Sequence, residues 1–363
     1  MTVRVCARKF GGQFIGVNHP ERKEQAGLYD LTRAMVKVGY SRWRDVFAGG
    51  FHRWFEIMGA VYETLAYVES VKSKLVATDI FWKLDASQKA VFSYRAGQAL
   101  AKLVTESHLD VPWLDHVSHL VKRGVLRFNP NTRQRPDLIG PDWADNWHVV
   151  ESKGRSNYPE KGLMRRAKAQ AQAVVAVAGK APATRCGCVS LLHRRPFAIE
   201  IEDPRGEPSR PIEVSVDEEG FFTTYYDIVE GMRLSGYPVE RVSVETTEGR
   251  VEYQVVRIPE TDVGVGVCSE IFNAYGTDAR WRVLLSEIQS SLRTAARFGT
   301  QAENFSLGPD GIGVFDLDPS KGIKAPIVIS GPSPDLLRSY LKKKERDSRG
   351  VQQRAAVRPL VVA

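Results

Sequence analysis

The chain has 363 residues and a net charge of +8, and 43% of its residues are apolar. This apolar content excludes a wholly disordered chain, and no apolar run approaches the roughly 18 residues that a membrane-spanning helix requires. The four scattered cysteines argue against a disulfide framework and are typical of a reducing compartment. Because the start of the sequence also lacks the apolar stretch of a signal peptide, we expect a soluble, cytoplasmic protein with two domains.

The first 85 residues predict a helical N-terminal extension. Apolar side chains recur at helical spacing over residues 51–76. A further helix is predicted over 87–107, where Asp85 or Ser87 is suited to cap the first turn. We therefore expect the extension to end where this helix begins.

Residues 86–196 combine helical spacing with short apolar runs that are separated by turn formers. After the helix over 87–107 they predict a helix over 113–122, strands over 125–128, 136–139 and 147–153, a helix over 159–178 and a strand over 187–193. The expected order is helix, strand, strand, strand, helix, strand, with one extra helix after the first. This order predicts an α/β core.

Charge is distributed unevenly along the chain. Residues 121–169 contain eleven Lys or Arg against five Asp or Glu, whereas residues 200–262 contain sixteen acids against six bases. We expect an acidic α+β domain of unknown role over 197–335 and a basic tail over 336–363. The basic middle favours a polyanionic partner such as nucleic acid, and the acidic segment suggests contact with a protein partner or a second copy of the chain.

Three charged residues stand on the hairpin that the second and third strands of this core predict. Alternate residues of a strand share a face, so Glu151 and Lys153 lie side by side, and Asp137 on the adjoining strand can reach Glu151. Two such carboxylates can share a hard cation such as Mg²⁺, which prefers oxygen ligands and lowers the pKa of a bound water. Lys153 is suited to position that water or to hold a phosphate.

The motif resembles that of a known superfamily. Pro136-Asp137, then thirteen residues, then Glu151-Ser152-Lys153 is similar to the signature of the PD-(D/E)XK nucleases, whose restriction-endonuclease-like core has the order αβββαβ. The resemblance covers residues 87–193. It implies that Asp137 and Glu151 bind Mg²⁺ or Mn²⁺, that the carbonyl of Ser152 is a further ligand, and that Lys153 is the catalytic lysine.

Members of this superfamily often add a Glu from the preceding helix and a Gln from the following helix. Here Gln98 stands where that Glu is expected, and Glu106 follows two turns later. On the following helix Gln170 shares the apolar stripe of Leu163 and Val174, so Gln170 is the better candidate there. The resemblance thus adds Gln98, Glu106 and Gln170 to the candidate catalytic residues.

The expected function is a metal-dependent endonuclease that hydrolyses phosphodiester bonds in DNA, in bacterial restriction or anti-phage defence. The alternatives are a repair or recombination nuclease and a non-catalytic module that binds nucleic acid or protein on the same fold. For the Cys186 and Cys188 pair a structural role is favoured over metal binding, and for His116 and His119 a surface or capping role is favoured over zinc binding.

Overall fold

The structure, a computed structural model, describes residues 2–39, 51–129, 135–203, 210–299, 304–318 and 327–330. The predicted basic tail over 336–363 lies outside these residues. The described chain folds into helices and three β-sheets, which confirms a mixed α/β fold. Among the described residues every helix is too short or too polar to cross a lipid bilayer.

The helices alternate with strands along most of the chain. In chain order they are α1 (Leu28–Val38), α2 (Phe51–Tyr67), α3 (Asp79–Lys83), α4 (Ala86–Leu109), α5 (Val117–Lys122), α6 (Leu163–Gln172), α7 (Glu218–Tyr225), α8 (Ile228–Leu234), α9 (Ser269–Ala274) and α10 (Trp281–Gly299). A 3₁₀ helix over Gly12–Val17 precedes α1.

The strands fall into three groups. In chain order they are β1 (Thr2–Arg8), β2 (His19–Gln25), β3 (Val68–Val71), β4 (Lys74–Ala77), β5 (Asp115–His116), β6 (Leu126–Asn129), β7 (Leu138–Pro141), β8 (Trp147–Arg155), β9 (Val174–Val177), β10 (Thr184–Leu191), β11 (Ala198–Glu202), β12 (Ile212–Val216), β13 (Val239–Thr246), β14 (Gly249–Arg257), β15 (Val263–Cys268), β16 (Phe305–Leu307), β17 (Ile312–Asp316) and β18 (Ile327–Ser330).

In the described part of the chain the largest sheet has nine strands in the order β3-β4-β1-β11-β10-β8-β7-β5, with β2 paired to β1. Strands β5, β7 and β8 are antiparallel neighbours, and β10 runs parallel to β8. A smaller sheet has the order β6-β12-β9, and a third has the order β16-β17-β15-β14-β13-β18. The β7–β8 hairpin therefore lies near one edge of the largest sheet.

The N-terminal segment differs from the helical extension that was expected over 1–85. It contributes four strands to the largest sheet, and β1 runs parallel to β11. The expected helix over 51–76 ends at Tyr67, after which the chain forms the β3–β4 hairpin. Both turn residues of that hairpin, Lys72 and Ser73, adopt left-handed conformations that no helix continues through.

Two expected elements of the core also lie elsewhere. The strand expected over 125–128 is β6, which pairs with β12 in the small sheet, and the two-residue β5 pairs with β7 instead. The helix expected over 159–178 is shorter, because its last turn, Val-Val-Ala-Val, forms β9. Valine is stiff about its first side-chain torsion and favours strands, which accounts for the change.

Helix α4 packs closely on β8 and begins as the sequence predicts. The Asp85 carboxylate caps its first turn by accepting hydrogen bonds from the backbone N–H groups of Ser87 and Gln88. Gly97 of α4 faces Gly154 of β8, and a Cβ on Gly97 would lie 2.6 Å from the Gly154 Cα. The absence of side chains at both positions allows this approach of helix to strand.

The expected boundary at residue 197 does not separate two cores. Strand β11 lies beyond it and pairs antiparallel with β10 in the largest sheet. One continuous apolar cluster contains residues of both the largest sheet and the third sheet. Buried ion pairs also join residues before position 197 to residues after it; they are Arg33 with Asp310 (3.7 Å), Lys102 with Asp310 (3.1 Å) and Arg53 with Asp227 (3.0 Å).

Candidate active site

Asp137 and Glu151 lie opposite each other on the β7–β8 hairpin. Leu138 pairs with Val150, so Asp137, one residue before β7, faces Glu151. The Asp137 backbone N–H donates to the Glu151 Oε2 atom (3.0 Å), and the Ser152 backbone N–H donates to the Asp137 Oδ2 atom (3.0 Å). Each carboxylate is therefore held by the backbone of the opposite chain segment, and the structure brings the two acids together as the spacing predicts.

Lys153 completes the group. Its Nζ atom donates to the Glu151 Oε1 atom. The Glu151 side chain is only 1% exposed, whereas the Lys153 side chain is 23% exposed. The acid is thus enclosed in the protein, and the lysine lies between it and the solvent.

Burial dominates the protonation of both acids. Burial and, after it, the nearby Asp137 charge raise the pKa of Glu151 to about 7, against the opposing effect of Lys153. Burial also raises the pKa of Asp137, although Lys153, the Ser152 N–H and a hydrogen bond with Tyr94 oppose it. A buried and a half-buried acid that both resist ionisation side by side form a position where a bound cation would be favourable.

Tyr94 was not singled out from the sequence. It lies on α4 one turn before Gln98 and hydrogen-bonds Asp137. The four-residue offset from Gln98 was a usable signal, because residues four apart share a helix face. Tyr94 also lines a cavity of about 500 Å³, together with Trp82, Lys89 and Arg155 among others. Tyr94 therefore links this cavity, with its aromatic and basic side chains, to Asp137.

Gln98 is fully buried but has another partner. Its Oε1 atom is 2.8 Å from the Nε2 atom of His116. His116 lies on β5 and pairs with Leu138, so the Gln98 side chain contacts β5, the strand next to β7 in the sheet. Its Nε2 atom has no hydrogen-bond partner among the described residues. In that part of the chain no hydrogen bond joins Gln98 to Asp137 or Glu151.

Glu106 lies away from the acids. Its carboxylate accepts hydrogen bonds from Arg33 (2.7 and 3.2 Å) and pairs with Lys102 (2.5 Å). This buried cluster joins α4 to α1 and to Asp310, which precedes β17. Of the two candidates on α4, Gln98 and Glu106, the acid does not face the Asp137 site, because two buried cations hold its carboxylate near Asp310.

Helix α6 covers the face of the sheet on which Glu151 lies. Gly187 of β10 pairs with Glu151, and a Cβ on Gly187 would lie 2.9 Å from the Lys168 Cγ atom. Gln170 is half-buried on this helix, and the hydrogen bonds found among the described residues do not join it to either acid. Lys168 is therefore the α6 side chain nearest to Gly187, and its Nζ atom binds Glu202 (2.7 Å).

The histidines expected on the surface are inside the fold. Burial lowers the pKa of His116 to about 4. Burial also opposes the charged form of His119, but hydrogen bonds with Asp115 and Asp227 raise the pKa of His119 to about 9. The expectation was a surface or capping role: His116 does occupy the N-cap position of α5, but its side chain makes no capping hydrogen bond and contacts Gln98 instead. His119 is not a surface residue, because it pairs with the buried Asp115 and Asp227.

The cysteines are all free and buried. Burial raises the pKa of the Cys186 and Cys188 thiols, which keeps them protonated. Protonated thiols are poor metal ligands, which fits the structural role favoured for this pair.

Comparison with known proteins found no match: neither a protein-family model, nor a curated protein, nor a solved structure matches the chain. The case for a function therefore depends on the geometry of the site.

Proposed function

We propose that this protein is a metal-dependent nuclease that hydrolyses phosphodiester bonds in DNA. The observation that carries the proposal is the group formed by Asp137, Glu151 and Lys153. The buried carboxylate of Glu151 and the half-buried carboxylate of Asp137 lie on opposite arms of one hairpin, and a partly exposed lysine contacts Glu151. A simple surface salt bridge would need only Glu151 and Lys153, and it would leave the half-buried Asp137 without a role.

The order of the surrounding elements supports a restriction-endonuclease-like core. When α5 and the small-sheet strands β6 and β9 are set aside, α4 is followed by β5, β7, β8, α6 and β10, which is the order αβββαβ with the short β5 as the first strand. In this reading the Pro-Asp pair precedes the second strand and the Glu-Ser-Lys triplet lies on the third. Helix α4 packs on β8, and α6 packs on β10 on the face of Glu151.

The donor atoms of the site fit a hard divalent cation. Asp137, Glu151 and the carbonyl of Ser152 would hold Mg²⁺ or Mn²⁺ through oxygen, which is the ligand that such ions prefer. The raised pKa values of the two acids indicate that negative charge is poorly compensated there. When bound, such an ion lowers the pKa of water and neutralises charge on a phosphate.

The remaining side chains suit a nucleic-acid substrate. Lys153 can hold a phosphate oxygen or orient the attacking water while it restrains Glu151. Tyr94 fixes Asp137 through its hydroxyl. Lys89 and Arg155 line the adjacent cavity, where cations can contact the phosphate backbone and Trp82 offers an aromatic face.

The wider setting follows from the resemblance alone. It favours DNA over RNA and a role in restriction or anti-phage defence in the bacterial cytoplasm, with repair or recombination as the nearest enzyme alternative. The acidic segment over 200–262 is proposed as a contact for a protein partner or a second copy.

A second candidate function is a non-catalytic module that binds nucleic acid. The observation that favours it is the composition of α4, which offers Tyr94 and Gln98 near the hairpin where the superfamily often has a Glu. With Asp137 and Glu151 as its acids and no Glu from α4, such a module would bind nucleic acid through Lys89 and Arg155 of the cavity without cutting it.

Cleavage and binding assays separate the two candidates. The purified chain is incubated with supercoiled, linear and single-stranded DNA and with RNA, with Mg²⁺, Mn²⁺ or a chelator, and affinity is measured by fluorescence anisotropy at several salt concentrations. We expect metal-dependent cleavage of DNA by the parent and binding that weakens steeply with salt, because neutralised phosphates release counterions. Binding of DNA without any cleavage would favour the non-catalytic module.

Variants assign the roles. Lys153→Ala should lower the cleavage rate by about two orders of magnitude or more while DNA affinity survives, and Asp137→Ala should abolish cleavage by removing a metal ligand. Lys161→Ala, which removes an exposed lysine before α6, is the matched control and should cut like the parent. Cleavage by Lys153→Ala and Asp137→Ala at the rate of the parent would overturn the proposal.

A further inference from the structure

Two histidines and a glutamate meet far from the acids of the hairpin. His19 and Glu24 lie on β2, and His108 lies in the last turn of α4. The two Nε2 atoms are 3.0 Å apart, and the Glu24 Oε1 atom is 2.9 Å from the His108 Nε2 atom and 3.3 Å from that of His19. The three side chains are 9%, 16% and 5% exposed in the order His19, Glu24, His108. Three donor atoms thus converge in a nearly closed space.

The outer nitrogen of each ring is held by a second partner. The His19 Nδ1 atom is 2.7 Å from the carbonyl of Pro20, which can only accept, so Nδ1 carries the proton. In a neutral ring the Nε2 lone pair of His19 is then directed at the cluster. The His108 Nδ1 atom is 2.9 Å from the Ser107 hydroxyl. Metal-binding histidines are usually fixed in this manner through their other nitrogen.

We propose that His19, Glu24 and His108 form a binding site for a transition metal ion such as Zn²⁺, with water as the fourth ligand. Ligands bound at the usual Zn–N and Zn–O distances of about 2.1 Å with tetrahedral angles are roughly 3.4 Å apart. The three separations in the cluster differ from this value by a few tenths of an ångström. An ion about 1 Å above the plane of the three donor atoms satisfies all three distances.

The charges around the cluster are compatible with a cation. The Glu24 carboxylate lies between His108 (2.9 Å) and the Arg22 guanidinium (2.8 Å) and can supply a negative charge to a bound cation. Arg22 binds the same Oε1 atom (2.8 Å) from an exposed position, so it can move to solvent or to the other carboxylate oxygen when a metal binds.

The site would differ from the proposed nuclease centre in both chemistry and role. Imidazole nitrogens favour Zn²⁺ over Mg²⁺, whereas the Asp137 and Glu151 pair offers only oxygen. The ion would join β2 to the end of α4, two elements that are far apart in the sequence. This inference does not depend on nuclease activity.

Metal binding to the full chain tests the proposal. The protein is stripped with a chelator and titrated with Zn²⁺ against a chromophoric chelator in the presence of excess Mg²⁺. The parent and Asp137→Ala should each bind one tight equivalent of Zn²⁺. Loss of a residue that only supports a metal ligand lowers metal affinity by about 10- to 100-fold. Because His108 would be a direct ligand, His108→Ala should weaken Zn²⁺ binding by at least about 100-fold. Glu21→Gln, on the same strand and paired with Arg4, is the control and should bind like the parent.

Two further measurements test whether a variant loses Zn²⁺ because it is unfolded and whether the three side chains bind the metal directly. Circular dichroism confirms that the variants fold, and Glu24→Gln, which keeps the side-chain shape, replaces His108→Ala if the latter unfolds. Co²⁺ in place of Zn²⁺ should give visible d–d absorption bands in the parent that are absent in the ligand variants. If the parent binds no Zn²⁺ under these conditions, or if His108→Ala and Glu24→Gln bind it as tightly as the parent, the proposal is overturned.

Discussion

Glu151 is the acid whose replacement tests the electrostatics of the hairpin most directly. In the folded protein its pKa is about 7, against an ordinary value of 4.5. The folded chain therefore holds this proton more tightly than the unfolded chain. The stabilisation that the protonated form provides is complete below pH 4.5 and is lost as the pH rises through 7.

The size of the effect follows from the two pKa values. A difference between 4.5 and about 7 corresponds to up to about 3 kcal/mol of lost stability at pH 8. Replacing Glu151 by Gln removes the charge and keeps an oxygen that can accept the hydrogen bond from the Asp137 N–H. Lys153 loses its partner, but it is partly exposed and can be solvated by water. We therefore expect Glu151→Gln to be more stable than the parent at pH 8 without metal.

Thermal and urea denaturation from pH 4 to pH 9 measure this difference. In a chelator, Glu151→Gln should exceed the parent by up to about 3 kcal/mol at pH 8, or about 5 °C in Tm, and by close to nothing at pH 4. Millimolar Mg²⁺ should raise the Tm of the parent at pH 8 and leave that of Glu151→Gln nearly unchanged. If Glu151→Gln is less stable than the parent at every pH, the ionised Glu151 does not destabilise the metal-free protein and the reasoning is refuted.

Further predictions concern the packing and the buried charges. Gly154→Ala would place a Cβ 1.7 Å from the Ser93 carbonyl oxygen, so α4 would have to move away from β8. We expect a large decrease in Tm together with loss of cleavage. An unchanged Tm would contradict the close packing of α4 on β8. Lys102→Met leaves the buried Asp310 without one of its cations and should cost about 3–5 kcal/mol in urea denaturation at pH 7, whereas a neutral result would show that the pair contributes nothing. The stability that protonated His119 provides should be present below pH 6.5 and lost as the pH rises through 9. Over that interval the free energy of unfolding of the parent should fall by up to about 3 kcal/mol relative to that of His119→Gln. Equal pH profiles of the two proteins would refute this assignment.

The sequence predicts features that depend on residues a few positions apart. The N-cap at Asp85 is one, because a capping carboxylate binds N–H groups two and three residues ahead. The hairpin that carries Asp137 and Glu151 is another, because the alternation along β8 and the turn before it are local. Lys153 is two residues from Glu151 on the same strand, so their contact follows from the period of the strand alone.

Only the tertiary structure determines contacts between distant segments. The placement of β1 beside β11 joins residues almost two hundred positions apart, and the pairing of Arg33 with Glu106 moves that acid away from the hairpin. His19 and His108 are 89 positions apart, and no local pattern links them. Such contacts depend on how helices and strands pack over the whole core, and the free energy of that packing is a sum over many residues. Periodicity and capping describe short segments, so they predict which side chains share a strand but not which side chain of α4 reaches Asp137.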